Sequence, residues 1–236
     1  MKIRDALNKI KPLVGKKFSE IFTDDDLKAI IKNKGKTGQI LELAIGLKLS
    51  NTTIDFEDGE LKSNKCDING KPKETMFITQ ISSIIDELLS SKNYKETKLY
   101  EKIAHILYVP ICKEGEPKNW FILDAFIVED KDPYKDIYVQ LEEDYYTICQ
   151  ELNRHIEETG SIHTSNGELM QVRSKDSKPY TPIHSKLLGI DVSNKNHAFY
   201  FKREFMQTII KRTHPEGKMQ LDSGGFFFFF FFDEEK

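Results

Sequence analysis

The sequence has little cysteine. Three residues, Cys66, Cys112 and Cys149, stand far apart among 236, in an odd number and without a CxxC spacing. That excludes a zinc ribbon and a disulfide framework and points to a reducing compartment. Long apolar runs are missing too. None reaches the ~18 residues of a membrane span, and residues 1–18 lack the apolar stretch of a signal peptide. A soluble, cytoplasmic protein is expected. With only 13 Gly and 8 Pro, 39% hydrophobic and 31% charged residues, the chain is neither collagen-like nor low in complexity. A chain of this size buries roughly 70–75% of its unfolded surface, so it needs no metal or disulfide to fold. The six histidines show no HxH or HExxH spacing, and no P-loop, dinucleotide fingerprint or Ser/His/Asp arrangement is present.

A large excess of either charge is also missing, since 35 Lys/Arg stand against 38 Asp/Glu for a formal net charge of −3. That argues against a protein that coats nucleic acid nonspecifically, yet the distribution is uneven. Residues 1–65 hold 13 Lys/Arg against 10 Asp/Glu, residues 129–158 hold 3 against 10, and residues 159–220 hold 10 against 5. Two basic stretches flank an acidic middle, so a polyanion could be gripped by the first and last while the middle faces away.

Ile3, Leu7, Ile10 and Leu13 predict a first helix. Thr23 and the aspartates after it predict a capped second one, because short oxygen-bearing side chains satisfy the free amides of a first turn. Residues 39–49 read as a mostly buried helix, and residues 76–89 as an amphipathic helix at least in their second half. Two short strands over residues 53–56 and 60–63 meet at Asp58-Gly59. Residues 106–109 and 120–128 are rich in β-branched and aromatic residues and predict central strands. The three- and four-residue steps from Tyr134 to Ile156 specify one long helix that Gly160 ends. Strands over 169–173 and 198–202 and a helix over 203–211 complete an α/β fold, a mixed sheet flanked by helices. The folded domain is expected over residues 1–220. The tail, 221–236, carries seven consecutive phenylalanines (Phe226 to Phe232) without periodicity and is expected to lie outside the core.

The chemistry concentrates between Asp55 and Lys62. On a strand, Glu60 and Lys62 share a face while Leu61 turns into the core. A turn at Asp58-Gly59 could bring Asp55 beside Glu60; Asp58 is a rival for that role, because a strand through it would also share the face. Two carboxylates and the Leu61 carbonyl offer hard oxygen ligands for Mg²⁺, and Lys62 could orient an attacking water. Read alone, D-x4-E-x-K is equally a hairpin carrying a surface salt bridge.

Five ordered blocks then bear on the choice: residues 38–43, 55–62, 102–111, 167–175 and 198–205. Together they resemble the MutH nicking endonucleases and their restriction-endonuclease relatives. The resemblance implies a restriction-endonuclease-like fold with two lobes around a DNA cleft, and Mg²⁺-dependent cleavage of double-stranded DNA at GATC or a related short site. It makes Asp55 and Glu60 the metal carboxylates and Lys62 the catalytic lysine. Glu42 adds a carboxylate and Lys102 a second lysine. Lys34 and Gly35 touch DNA, Arg173 and Lys175 lie in the base-reading loop, and Tyr200 lies near the adenine methyl position. Ser174 stands where MutH carries a proline. Arg173 also suits its role physically, since a planar fork donates two parallel hydrogen bonds to guanine O6 and N7.

A type II restriction enzyme is therefore the first expectation. One alternative is a repair endonuclease that nicks the unmethylated strand of hemimethylated GATC when a mismatch-repair partner activates it. Another is a catalytically inactive DNA-binding domain, against which the joint presence of Asp55, Glu60 and Lys62 argues. Dimerisation on DNA is left open.

Overall fold

The computed structural model describes residues 1–33, 36–47, 53–175, 178–215, 218–220 and 226–228, the last two segments as backbone only. In chain order the elements are helices α1 (Ile3–Ile10), α2 (Phe18–Ile21), α3 (Asp24–Lys32) and α4 (Lys36–Ala44), then strands β1 (Glu60–Cys66) and β2 (Met76–Gln80). Next come α5 (Ile85–Leu89), α6 (Lys98–Ile103), β3 (His105–Cys112), β4 (Phe121–Ile122), β5 (Phe126–Glu129) and α7 (Lys135–Thr159). The remainder is β6 (Ser165–Asn166), β7 (Met170–Ser174), β8 (Ile183–Ser185), β9 (Ile190–Ser193), β10 (His197–Phe201), α8 (Arg203–Thr213), β11 (Lys218–Gln220) and β12 (Phe226–Phe228). The chain forms two compact units: residues 1–74, 105–129 and 207–236, and residues 75–104 and 130–206. No helix among the described residues is long and apolar enough to cross a membrane.

In the first unit β1 runs parallel to β3, which pairs antiparallel with β4 and β5. The β3 residues from Ile106 to Cys112 are all buried, as expected of a strand covered on both faces. Leu61, Leu107, Val109 and Ile111 join one apolar cluster with Ile3, Ile10 and Ile30 of α1 and α3 and with Ile40 and Leu41 of α4. Thr23 caps α3 by accepting from the Asp26 amide, while the Asp26 carboxylate accepts from the Thr23 amide in return.

The second unit holds the antiparallel sheet β2-β10-β7-β6 and the separate hairpin β8–β9. Its long helix α7 buries Ile137, Tyr138, Leu141, Tyr145, Ile148 and Leu152, and Gly160 ends it with a left-handed φ of 73°. That conformation costs glycine nothing and a β-carbon residue about 1–2 kcal/mol.

A mixed α/β architecture with helix-flanked sheets is thus present. The second half of residues 76–89 is helical, as α5, while residues 76–80 are a strand. The structure departs from the sequence reading at three places. Residues 120–128 break into β4 and β5, where the Leu123 amide leaves the strand path to bond Pro110 O at 2.9 Å. Residues 53–58 are bends, so the strand expected over 53–56 is not formed. Finally, α4 begins at Lys36 and is only half-covered, with Leu41 buried and Leu43 52% exposed. Of the phenylalanine run, Phe226 to Phe228 pair antiparallel with Lys218 to Gln220, and Phe229 to Phe232 lie outside the described residues.

Candidate active site

Strand alternation sets the first unit's site. Leu61 points into the helix-covered cluster, so Glu60 and Lys62 project from the opposite face of β1, beside Ile106 and Tyr108 of β3. Both charged side chains are nearly covered, at 6% and 10% exposure, and Lys62 Nζ donates to Glu60 Oε1 at 2.8 Å. Charges this deep are found where they are paired, because removing an ion from water costs several kcal/mol.

The segment before β1 folds back on the strand. Asp55 Oδ2 accepts from the Leu61 amide at 2.9 Å, which fixes that carboxylate beside the Glu60–Lys62 peptide. Phe56 N bonds Gly59 O at 2.9 Å to close the turn. Gly59 is required by space, since an added β-carbon would stand 2.7 Å from both His105 O and Ile3 Cδ1. Asp58 is engaged elsewhere, its Oδ1 accepting from the Ile3 amide at 2.8 Å, at the amino end of α1. Of the two rival aspartates, Asp55 faces the β1 peptide and Asp58 holds a helix end.

Glu42 joins from the last turns of α4. Its carboxyl is pushed up to about 7, first by burial and then by Asp55 and Glu60, with Lys62 pulling the other way. Three carboxylates and one ammonium therefore share a field, as at sites that bind cations or handle protons. Their hard oxygens fit a divalent cation in chemistry. Among the described residues, however, no three His, Cys, Asp or Glu side chains are grouped closely enough to hold a metal ion.

The second unit presents a different surface. On one face of its sheet the Arg173 guanidinium lies 4.2 Å from the Tyr200 ring centroid, and Lys175 Nζ lies 4.9 Å from that of Phe77. Phe77 and Tyr200 meet edge to face at 5.7 Å. The register explains the grouping: Tyr200 is opposite Phe77 on β2, and its neighbour Ala198 is opposite Arg173 on β7. Sequence patterning did not single out Phe77. Its signal lay in the alternation Met76-Phe77-Ile78, which buries the outer two and exposes the middle one. Lys102 sits in the last turn of α6, in this second unit. Lys34 and Gly35 lie outside the described residues.

A mixed α/β fold with a carboxylate and a lysine paired on β1, and cations stacked on rings of another sheet, is consistent with a restriction-endonuclease-like fold. A family model for the DNA mismatch repair enzyme MutH matches residues 48–125, a span that contains Asp55, Glu60 and Lys62. The DNA mismatch repair protein MutH of Buchnera aphidicola subsp. Baizongia pistaciae is 24% identical over 200 residues, covering 77% of this chain and 83% of that protein. The same protein from Shewanella woodyi is 26% identical over 188 residues, covering 77% and 78%. Fold and matches together support a MutH-like, restriction-endonuclease-like family for this chain.

Proposed function

We propose that this protein is a DNA endonuclease that nicks one strand of a short site, acting in mismatch repair on the unmethylated strand of hemimethylated GATC. Both relatives are DNA mismatch repair proteins, which favours this reading over the restriction enzyme expected from the sequence. The observation that carries nuclease chemistry is the covered Glu60–Lys62 pair on β1, with Asp55 and Glu42 in its field.

Each residue has a role in the reading. Asp55 and Glu60, with the Leu61 carbonyl and Glu42, would hold Mg²⁺. Bound there, the cation supplies polarisation of the phosphoryl oxygen and stabilises the leaving oxyanion. Lys62, oriented by Glu60, positions the attacking water and favours its deprotonation, and Lys102 keeps the role of second lysine that the family resemblance implies. Arg173 reads guanine through its fork, Tyr200 lies against the adenine methyl position, and Lys175, Lys34 and Gly35 serve the backbone. A mismatch-repair partner would supply activation.

The test is one plasmid prepared unmethylated, hemimethylated and fully methylated at GATC, incubated with purified protein and Mg²⁺, with product ends sequenced by strand. Nicks confined to unmethylated strands support the repair reading. Double-strand breaks on unmethylated DNA alone would make it a restriction enzyme. Tight binding without a cut in any form would leave a DNA-binding domain.

A further inference from the structure

Asp144 lies on α7 in the second unit with 2% of its surface exposed. Its carboxylate accepts from three consecutive amides, Glu168 at 2.8 Å, Leu169 at 2.6 Å and Met170 at 2.8 Å. Gln140 Nε2 adds a fourth donor at 3.1 Å. The carbonyls of the same turn are engaged as well. Lys202 Nζ donates to Gly167 O at 2.9 Å, the Lys202 amide to Leu169 O at 2.8 Å, and the Gly167 amide to Met170 O at 2.8 Å. Glycine is needed at 167 because an added β-carbon would stand 2.3 Å from Asp144 Cγ.

A two-strand turn closes without a buried carboxylate, and burying one is costly unless several donors meet it. Closure of the β6–β7 turn therefore does not account for Asp144. The carboxylate does fix where β7 begins. Met170 is the first residue of β7, and Arg173 follows three residues on, about 10 Å along a strand. A displacement at the clamp is carried along that strand to the guanidinium, and a shift of ~1 Å at a recognition group can cost far more than the bond that caused it.

We propose that Asp144, assisted by Lys202, is a positioning residue for base reading: it sets the register of β7 and so the point at which Arg173 and Lys175 meet DNA. This rests on the reading of Arg173 as a base contact. The experiment compares binding to a duplex carrying GATC with binding to the same duplex scrambled at that site, without Mg²⁺, beside thermal melting. Asp144→Asn, which turns one acceptor into a donor facing amides, is expected to weaken GATC binding ~10-fold while scrambled binding changes less than ~2-fold. Lys202→Met is expected to give ~3-fold in the same direction, and it decides the matter if Asp144→Asn does not fold.

Equal loss on both duplexes, or no loss, in a protein of native melting behaviour would overturn the proposal. Arg173→Ala separates the two levels. If it leaves the GATC preference intact, the base-contact reading falls and takes the clamp with it. If it abolishes the preference while Asp144→Asn preserves it, the clamp alone is wrong.

Discussion

The two units use the same residue types in opposite ways. On β1, Glu60 and Lys62 are taken almost wholly out of water and are joined by one bond at 2.8 Å. On the β2-β10-β7 face, Arg173 is exposed and stacked on Tyr200, and Lys175 on Phe77, with no carboxylate bonded to either among the described residues. A buried pair is costly to assemble and very costly to break, so its geometry is held tightly. An exposed cation on a ring contributes only about 0.5–1 kcal/mol, so little is lost when it leaves the ring. Under the proposed function, the first arrangement serves bond making and breaking and the second recognition.

The largest expected effect lies on β1. Lys62→Met leaves the Glu60 carboxylate buried without its ammonium, and should lower stability by about 3–5 kcal/mol in denaturant melts. Adding Glu60→Gln should recover most of that loss but no cleavage. If Lys62→Met melts like the parent, Glu60 and Lys62 do not depend on each other for burial. On the other face, Arg173→Ala should leave melting nearly unchanged and cost about 1–3 kcal/mol of discrimination between GATC and a one-base variant. Equal weakening on every duplex would make Arg173 a phosphate contact.

How much of this contrast could be read from sequence follows from the range of the interactions. Period-two alternation put Glu60 and Lys62 on one face without reference to any other strand, and 3.6-residue steps gave α7 to within a residue. Residues 76–80 stayed open in the sequence because Ile78, Ile81, Ile84 and Ile85 satisfy a helical spacing. They form a strand because β10 offers an antiparallel partner about 120 residues away, beyond local propensity. The Phe77–Tyr200 contact depends on that pairing and was out of reach for the same reason. The approach of Glu42 to Asp55 and Glu60 likewise needs α4 set against β1. Choosing between Asp55 and Asp58 needed the amino end of α1, more than 50 residues away.

A smaller effect separates buried charge used for chemistry from buried charge used for structure. Asp130 in the second unit receives Lys95, Lys135 and Tyr100. Burial pushes its carboxyl up, but those three donors outweigh burial and hold it at about 2, below the ordinary 3.8. Because the folded value is the lower one, the stabilisation is full above about pH 4 and is lost as pH falls toward 2. The two lysines are partly exposed, so solvent screening reduces the contribution to between about 1 and 2 kcal/mol. Asp130→Asn should remove that part of the acid sensitivity in melts between pH 5 and 2 and leave DNA cleavage at neutral pH unchanged. An unaltered acid profile would show the network to be too screened to matter.

The smallest effect separates two aspartates three residues apart. Asp58 Oδ1 accepts the Ile3 amide, one of the four that a helix start leaves without an intrahelical partner. Asp58→Ala should therefore cost about 1 kcal/mol, the usual worth of an end-capping side chain. It should leave the cleavage rate per folded molecule within about twofold, since a lost cap leaves the reacting groups in place. Asp55→Ala should do the reverse, abolishing cleavage with DNA binding retained. Both variants lose one carboxylate from the same turn, so a change in net charge cannot separate them; only the bond each carboxylate makes can. Should Asp58→Ala silence cleavage while Asp55→Ala spares it, the roles are exchanged and the strand-face reading of Asp58 was the right one.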